Sequence, residues 1–80
     1  MKNNLHEVLR IIFKWGSNGK YHNEPLVFRT LENISDSHLL HIIAWIKLYP
    51  ECYSDEILNI MIREQDFRTN NYIFIPDYEE

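Results

Sequence analysis

The sequence predicts a small α+β fold, mainly helical, with an αα-hairpin and a short two- or three-stranded β element. Three observations carry that prediction. Two serine-capped apolar stripes flank a proline-containing link within residues 35–67. A glycine-bearing turn precedes a short apolar run at 26–28, and a second β-forming run, 72–75, is closed by Pro76. Eighty residues make one domain, 1–80. At that size folding buries only about 60% of the surface of the unfolded chain, so the core must be thin.

The first element is a helix beginning at Leu5. Leu5, Val8, Leu9 and Ile12 follow the i, i+3, i+4, i+7 spacing of one helical stripe, and Asn4 can cap it. The helix should stop near Phe13 or Lys14. A strand stays open as an alternative for Arg10–Trp15, because Ile11, Ile12, Phe13 and Trp15 are β-formers. Gly16-Ser17-Asn18-Gly19-Lys20 holds both glycines and reads as a turn. It lacks the glycine spacing and Lys-Ser/Thr ending of a phosphate-binding loop. Pro25 then opens an extended segment, Leu26–Thr30.

Ser35 is placed to cap the strongest helix, with Asp36 complementing its dipole. Leu39, Ile42, Ile43 and Ile46 form the expected buried stripe, widened by Leu40 and Ala44. Pro50 ends this helix near Leu48 or Tyr49. Ser54, followed by Asp55 and Glu56, opens the next, which should run to Phe67 with Ile57, Leu58, Met61 and Ile62 on its apolar face and Ile60 widening it. The short link makes the two helices antiparallel neighbours. Thr69-Asn70-Asn71 reads as a turn into a strand, Tyr72–Ile75. That strand needs a partner, either Leu26–Thr30 or Ile11–Trp15. Residues 77–80 read as an acidic, mobile tail.

Charge and cysteine content exclude several classes. Residues 1–31 carry five cations against two acids, a net +3, whereas 32–80 carry three against ten, a net −7. The acidic part repels a phosphate backbone, so tight duplex DNA binding is not expected. One cysteine, Cys52, excludes an intrachain disulfide and a cysteine-based zinc cluster. No run approaches the roughly 20 apolar residues of a membrane span, and His6, Glu7 and Arg10 interrupt what would be a secretory core. A cytoplasmic location with no membrane partner is the expectation.

From Phe28 onward, Phe28-Arg29-Thr30-Leu31-Glu32-Asn33-Ile34-Ser35-Asp36-Ser37-His38-Leu39-Leu40-His41-Ile42-Ile43 resembles small bacteriophage accessory proteins of unknown function. These combine a short β segment, a tryptophan and a glycine-containing turn with a helix that starts at an Asp/Ser-rich cap and a His-Leu pair. The resemblance covers about residues 15–49. It implies a phage or mobile-element accessory protein, acting in the host cytoplasm, and supplies no catalytic residues.

Catalytic and metal chemistries find little support in the residue pattern. His38 and His41 share a helical face that Trp45 extends, and two imidazoles so spaced can face one metal ion. A third ligand, such as His22 or a carboxylate, is not fixed by the spacing, and a cap-adjacent or half-buried structural role is the preferred reading of the pair. Cys52 has no histidine nearby, Glu51 opposes thiolate formation, and packing under Tyr49 and Tyr53 is expected. Asp55 and Glu56 suit a helix dipole, and Glu64 and Asp66 a solvated face that Arg63 and Arg68 can pair with. No enzyme, cofactor or metal is predicted.

Eleven aromatic residues exceed what so small a core encloses, and Tyr and Trp dominate interface hot spots. The reading is a non-catalytic, phage-type protein that docks on a host protein, such as a nucleic-acid-binding or defence protein, and inhibits or redirects it. Trp15, Lys20, Tyr21 and Arg29, with Lys14, form one candidate partner-binding surface, and Tyr78 in the acidic tail another. Two alternatives stand beside it. One is a sponge for a nucleotide signal, binding in a basic aromatic pocket of an oligomer around Arg29, Lys20 and Tyr21. The other is a structural homo-oligomer without ligand.

Overall fold

The computed structural model describes residues 5–17 and 24–78. Its elements are α1 (Leu5–Ile12), β1 (Lys14–Ser17), β2 (Val27–Thr30), α2 (Asp36–Leu48) and α3 (Asp55–Asn70), with 3-10 turns at Leu31–Asn33 and Pro50–Cys52. This is an α+β, mainly helical fold. Packing gathers the chain into two compact units, Met1–Ile34 and Ser35–Glu80.

In the first unit, both readings of Arg10–Trp15 hold in part. The helix runs through Ile12, and Phe13 N–H still bonds to Leu9 O at 2.8 Å. One residue later the backbone is a strand. β1 and β2 pair antiparallel, with Lys14 opposite Thr30, Trp15 opposite Arg29, Gly16 opposite Phe28 and Ser17 opposite Val27. Leu31 N–H donates to Phe13 O at 2.9 Å, which extends the ladder by one bond. A Cβ at Gly16 would sit 2.7 Å from Cε1 of Phe28, so the exposed ring that covers the glycine would have to turn aside for any larger residue. Leu31 and Ile34 are fully buried.

The second unit is a capped helical hairpin. Ser35 Oγ accepts from His38 N–H at 3.2 Å, and Ser54 Oγ accepts from Ile57 N–H at 3.3 Å. Both caps are the ones the sequence indicates. Leu39, Ile42, Ile43 and Ile46 of α2 are buried, as is Met61 of α3. Leu40 and Ala44 do not widen the buried stripe; both are exposed. Cys52 is exposed too, rather than packed under its tyrosines.

The C-terminal strand is corrected. α3 continues to Asn70, beyond the predicted end at Phe67, and closes with Ile73 N–H donating to Arg68 O at 2.9 Å and Tyr72 in the left-handed region (φ 57°). Residues 73–78 then belong to neither helix nor sheet. Tyr72–Ile75 does alternate, with Ile73 and Ile75 half-buried and Tyr72 and Phe74 exposed. Its backbone partner is a helix end, not a strand. Asp36 N–H donates to Ile75 O at 2.9 Å, and Ile75 N–H points back to Asp36 Oδ1 at 3.4 Å. Asp77 and Tyr78, expected in a mobile tail, are also held there: Ser37 Oγ donates to Asp77, and Ser35 N–H donates to Tyr78 Oη at 2.9 Å.

The core is aliphatic. No aromatic side chain among the described residues is buried; Phe28, Trp45, Tyr49, Tyr72 and Phe74 are exposed and the others half-buried. Glu64, expected on a solvated face, is instead fully buried and accepts from Arg68 Nε at 2.7 Å; Arg68 is 4% exposed and its Nη1 donates to Asp36 at 2.8 Å.

Candidate functional site

The residues proposed from sequence separate. Trp15 and Arg29 are brought together, directly opposite on β1 and β2, so their side chains leave the same face of the ribbon. Both are half-buried. Lys20 and Tyr21 lie outside the described residues, as does His22. Tyr78 belongs to the second unit, and its hydroxyl is committed to the start of α2. Ser35 N–H donates to that oxygen, which also shares a hydrogen bond of 2.8 Å with His38 Nδ1. The Tyr78 and His38 rings meet edge to face at 5.8 Å. These contacts join the last described residues to a helix cap, which is a structural task.

Sequence reasoning missed a larger surface, on α1. The stripe read from spacing is not the face that packs. The half-buried residues are His6, Leu9, Arg10 and Phe13, which keep the i, i+3, i+4, i+7 spacing one position further along. Leu5, Val8 and Ile12 face outward at 59%, 48% and 62% exposure, with Ile11 beside them at 60%. β2 adds Val27 and Phe28, preceded by Leu26, all exposed. The signal was present in the sequence: a stripe of four large aliphatics on an eight-residue helix. Periodicity locates such a stripe without telling whether its partner lies in the same chain.

The second unit offers little reactive chemistry. An open hollow is lined by Asp36, Leu39, Leu40, Gln65, Arg68, Thr69 and Ile73. Its one cation, Arg68, already bonds to Glu64 and Asp36, which leaves it poorly suited to receiving an anion. His41 is exposed, and His38 is turned to Tyr78. Among the described residues no three His, Cys, Asp or Glu side chains gather as a metal site would require, and no helix is long and apolar enough to cross a membrane. Asp55 and Glu56 lie in the first turn of α3.

Aromatic residues do gather at the hairpin's turn. Trp45 Nε1–H donates to Tyr53 Oη at 2.9 Å, and the Trp45 and Tyr49 rings lie 4.7 Å apart. Compared with family models, with curated proteins and with solved structures, the chain matches none of them.

Proposed function

We propose that this chain is a non-catalytic binding protein that docks on a larger protein through its first unit, and inhibits or redirects it. One observation carries the docking: α1 directs Leu5, Val8, Ile11 and Ile12 to solvent while His6 and Arg10 are half-buried. Exposing a contiguous apolar stripe is costly unless something covers it, and such patches mark interaction surfaces. Phe28 and the Trp15/Arg29 pair of the ribbon supply the kinds of side chain that anchor interfaces. The resemblance to small bacteriophage proteins supplies the rest of the reading, a host protein as target.

The test is capture from a bacterial lysate on immobilised chain, with proteins identified by mass spectrometry. The parent should retain a specific protein that Ile12→Glu and Arg29→Ala release, with melting temperatures unchanged. Equal capture by parent and both variants would refute the assignment of this surface.

A further inference from the structure

We propose that the protein on which the first unit docks supplies an extended segment, which adds to the outer edge of β2, at residues 26–30, as a third strand. The inference rests on the docking of that unit and names the kind of partner that fits: a stretch of backbone free to pair, rather than a helix or a charged surface.

The register fixes which backbone groups are on offer. Leu31 N–H donates to Phe13 O, so residues 13 and 31 stand as a hydrogen-bonded pair. Bonded and non-bonded pairs alternate along an antiparallel ladder, which makes Trp15–Arg29 the next bonded pair and Lys14–Thr30 and Gly16–Phe28 the non-bonded ones. A residue of a non-bonded pair turns its own N–H and C=O away from the neighbouring strand. Phe28 N–H and C=O and Thr30 N–H therefore point outward from β2, and among the described residues no hydrogen bond takes them up. Donors and acceptors repeated every second residue along an edge are a template that another extended backbone matches.

Side chains choose β2 over β1. The outer edge of β1 carries exposed Lys14, a charge of the kind that keeps edges from pairing, and Gly16, which offers an incoming strand nothing to pack on. The edge of β2 begins with three apolar residues, Leu26, Val27 and Phe28, at 58%, 46% and 60% exposure. Its one charged residue, Arg29, is half-buried opposite Trp15. The protection left to this edge is its shortness and Pro25 before it. A two-stranded ribbon is marginal alone, and a third strand supplies the support it lacks. The incoming segment needs an amide opposite Phe28, which excludes proline there, and an apolar or aromatic residue to lie beside the exposed Phe28 ring.

The test is titration of a soluble strand peptide, Lys-Thr-Val-Tyr-Val-Thr-Lys, into the isotope-labelled full chain, followed by amide resonances and hydrogen exchange. The Phe28 and Thr30 amides should shift and exchange more slowly. Thr30→Pro removes one outward N–H at a residue whose φ is already −68°, the value that proline imposes. It should weaken peptide binding about two- to tenfold, as the loss of one hydrogen bond does. Thr30→Ala deletes the side chain bonded to Asn33 but keeps the amide, and should bind as the parent does. Should Thr30→Pro fail to fold, exchange at Phe28 and Thr30 of the parent decides alone. Unchanged Phe28 and Thr30 amides at millimolar peptide overturn the proposal, and so does equal binding by Thr30→Pro and Thr30→Ala. Protection of both amides in the chain alone, with twice the 9.8 kDa chain mass, would give the edge to a second copy and overturn it too. A lysate protein that Ile12→Glu releases and Thr30→Pro retains would leave docking through α1 standing and overturn the added strand.

Discussion

The two units treat the same sequence signal in opposite ways. In residues 35–78, Leu39, Ile42, Ile43 and Ile46 are an apolar stripe that the chain buries, and Ser35 caps the helix bearing it. In residues 5–34, Leu5, Val8 and Ile12 are an equally regular stripe that stays in water. The difference lies in what each helix has beside it. α2 packs on α3, a long antiparallel partner, whereas α1 meets a four-residue strand and a single 3-10 turn. Periodicity therefore reports that a face needs covering. It says nothing of whether the cover is internal.

The comparison is broken most directly by placing the same charge on each stripe. Ile43→Asp should unfold the protein, because an unpaired carboxylate would enter a site only 7% exposed. Ile12→Asp, at 62% exposure, should change the unfolding free energy by less than about 0.5 kcal/mol. Urea titrations followed by circular dichroism decide it. Equal losses for the two variants would mean that the α1 stripe is structural.

The next largest effect separates the second unit's buried charges from its surface ones. Glu64→Leu should cost about 3–5 kcal/mol, since it removes a partner from buried Arg68. Adding Arg68→Met should recover much of that loss, because no buried charge then lacks its counter-ion. A double variant no more stable than Glu64→Leu would contradict the ion-pair account.

A smaller effect tests the C-terminal segment. Tyr78→Phe deletes the acceptor of the buried Ser35 N–H and should destabilise by about 1–3 kcal/mol in the same titration. A truly mobile tail would give no change.

Last, Tyr72 adopts φ 57° at the end of α3 while almost wholly exposed. Tyr72→Gly should raise stability by about 0.5–1 kcal/mol, as glycine takes that conformation without the Cβ clash. A loss of stability would mean that the tyrosine ring contributes a contact that outweighs the clash.

Much of the second unit was legible because its signals are local. Ser35 and Ser54 cap the helices that they precede, and Pro50 ends one of them, all through bonds within a few residues. The site was less legible for the converse reason. Trp15 and Arg29 meet only through the register of β1 and β2, fourteen positions apart, and Tyr78 was assigned to a surface when it bonds to Ser35 and His38, forty and more residues away.

By itself the sequence determined the fold class, the caps at Ser35 and Ser54 and the existence of apolar helical stripes, because each depends on torsional preference or on spacing along one element. Of the turn read at residues 16–20, Gly16 and Ser17 belong instead to β1, and residues 18–20, like the Asn4 cap, lie outside the described residues. Only the tertiary structure decided which stripe is satisfied. It paired Lys14–Ser17 with Val27–Thr30, and it laid Ile75–Tyr78 on the cap of α2 in place of a sheet edge. It also buried Glu64 with Arg68. Those outcomes depend on which backbone amides and charges come within hydrogen-bond reach once the chain folds back. A residue's own neighbours in sequence do not encode that distance.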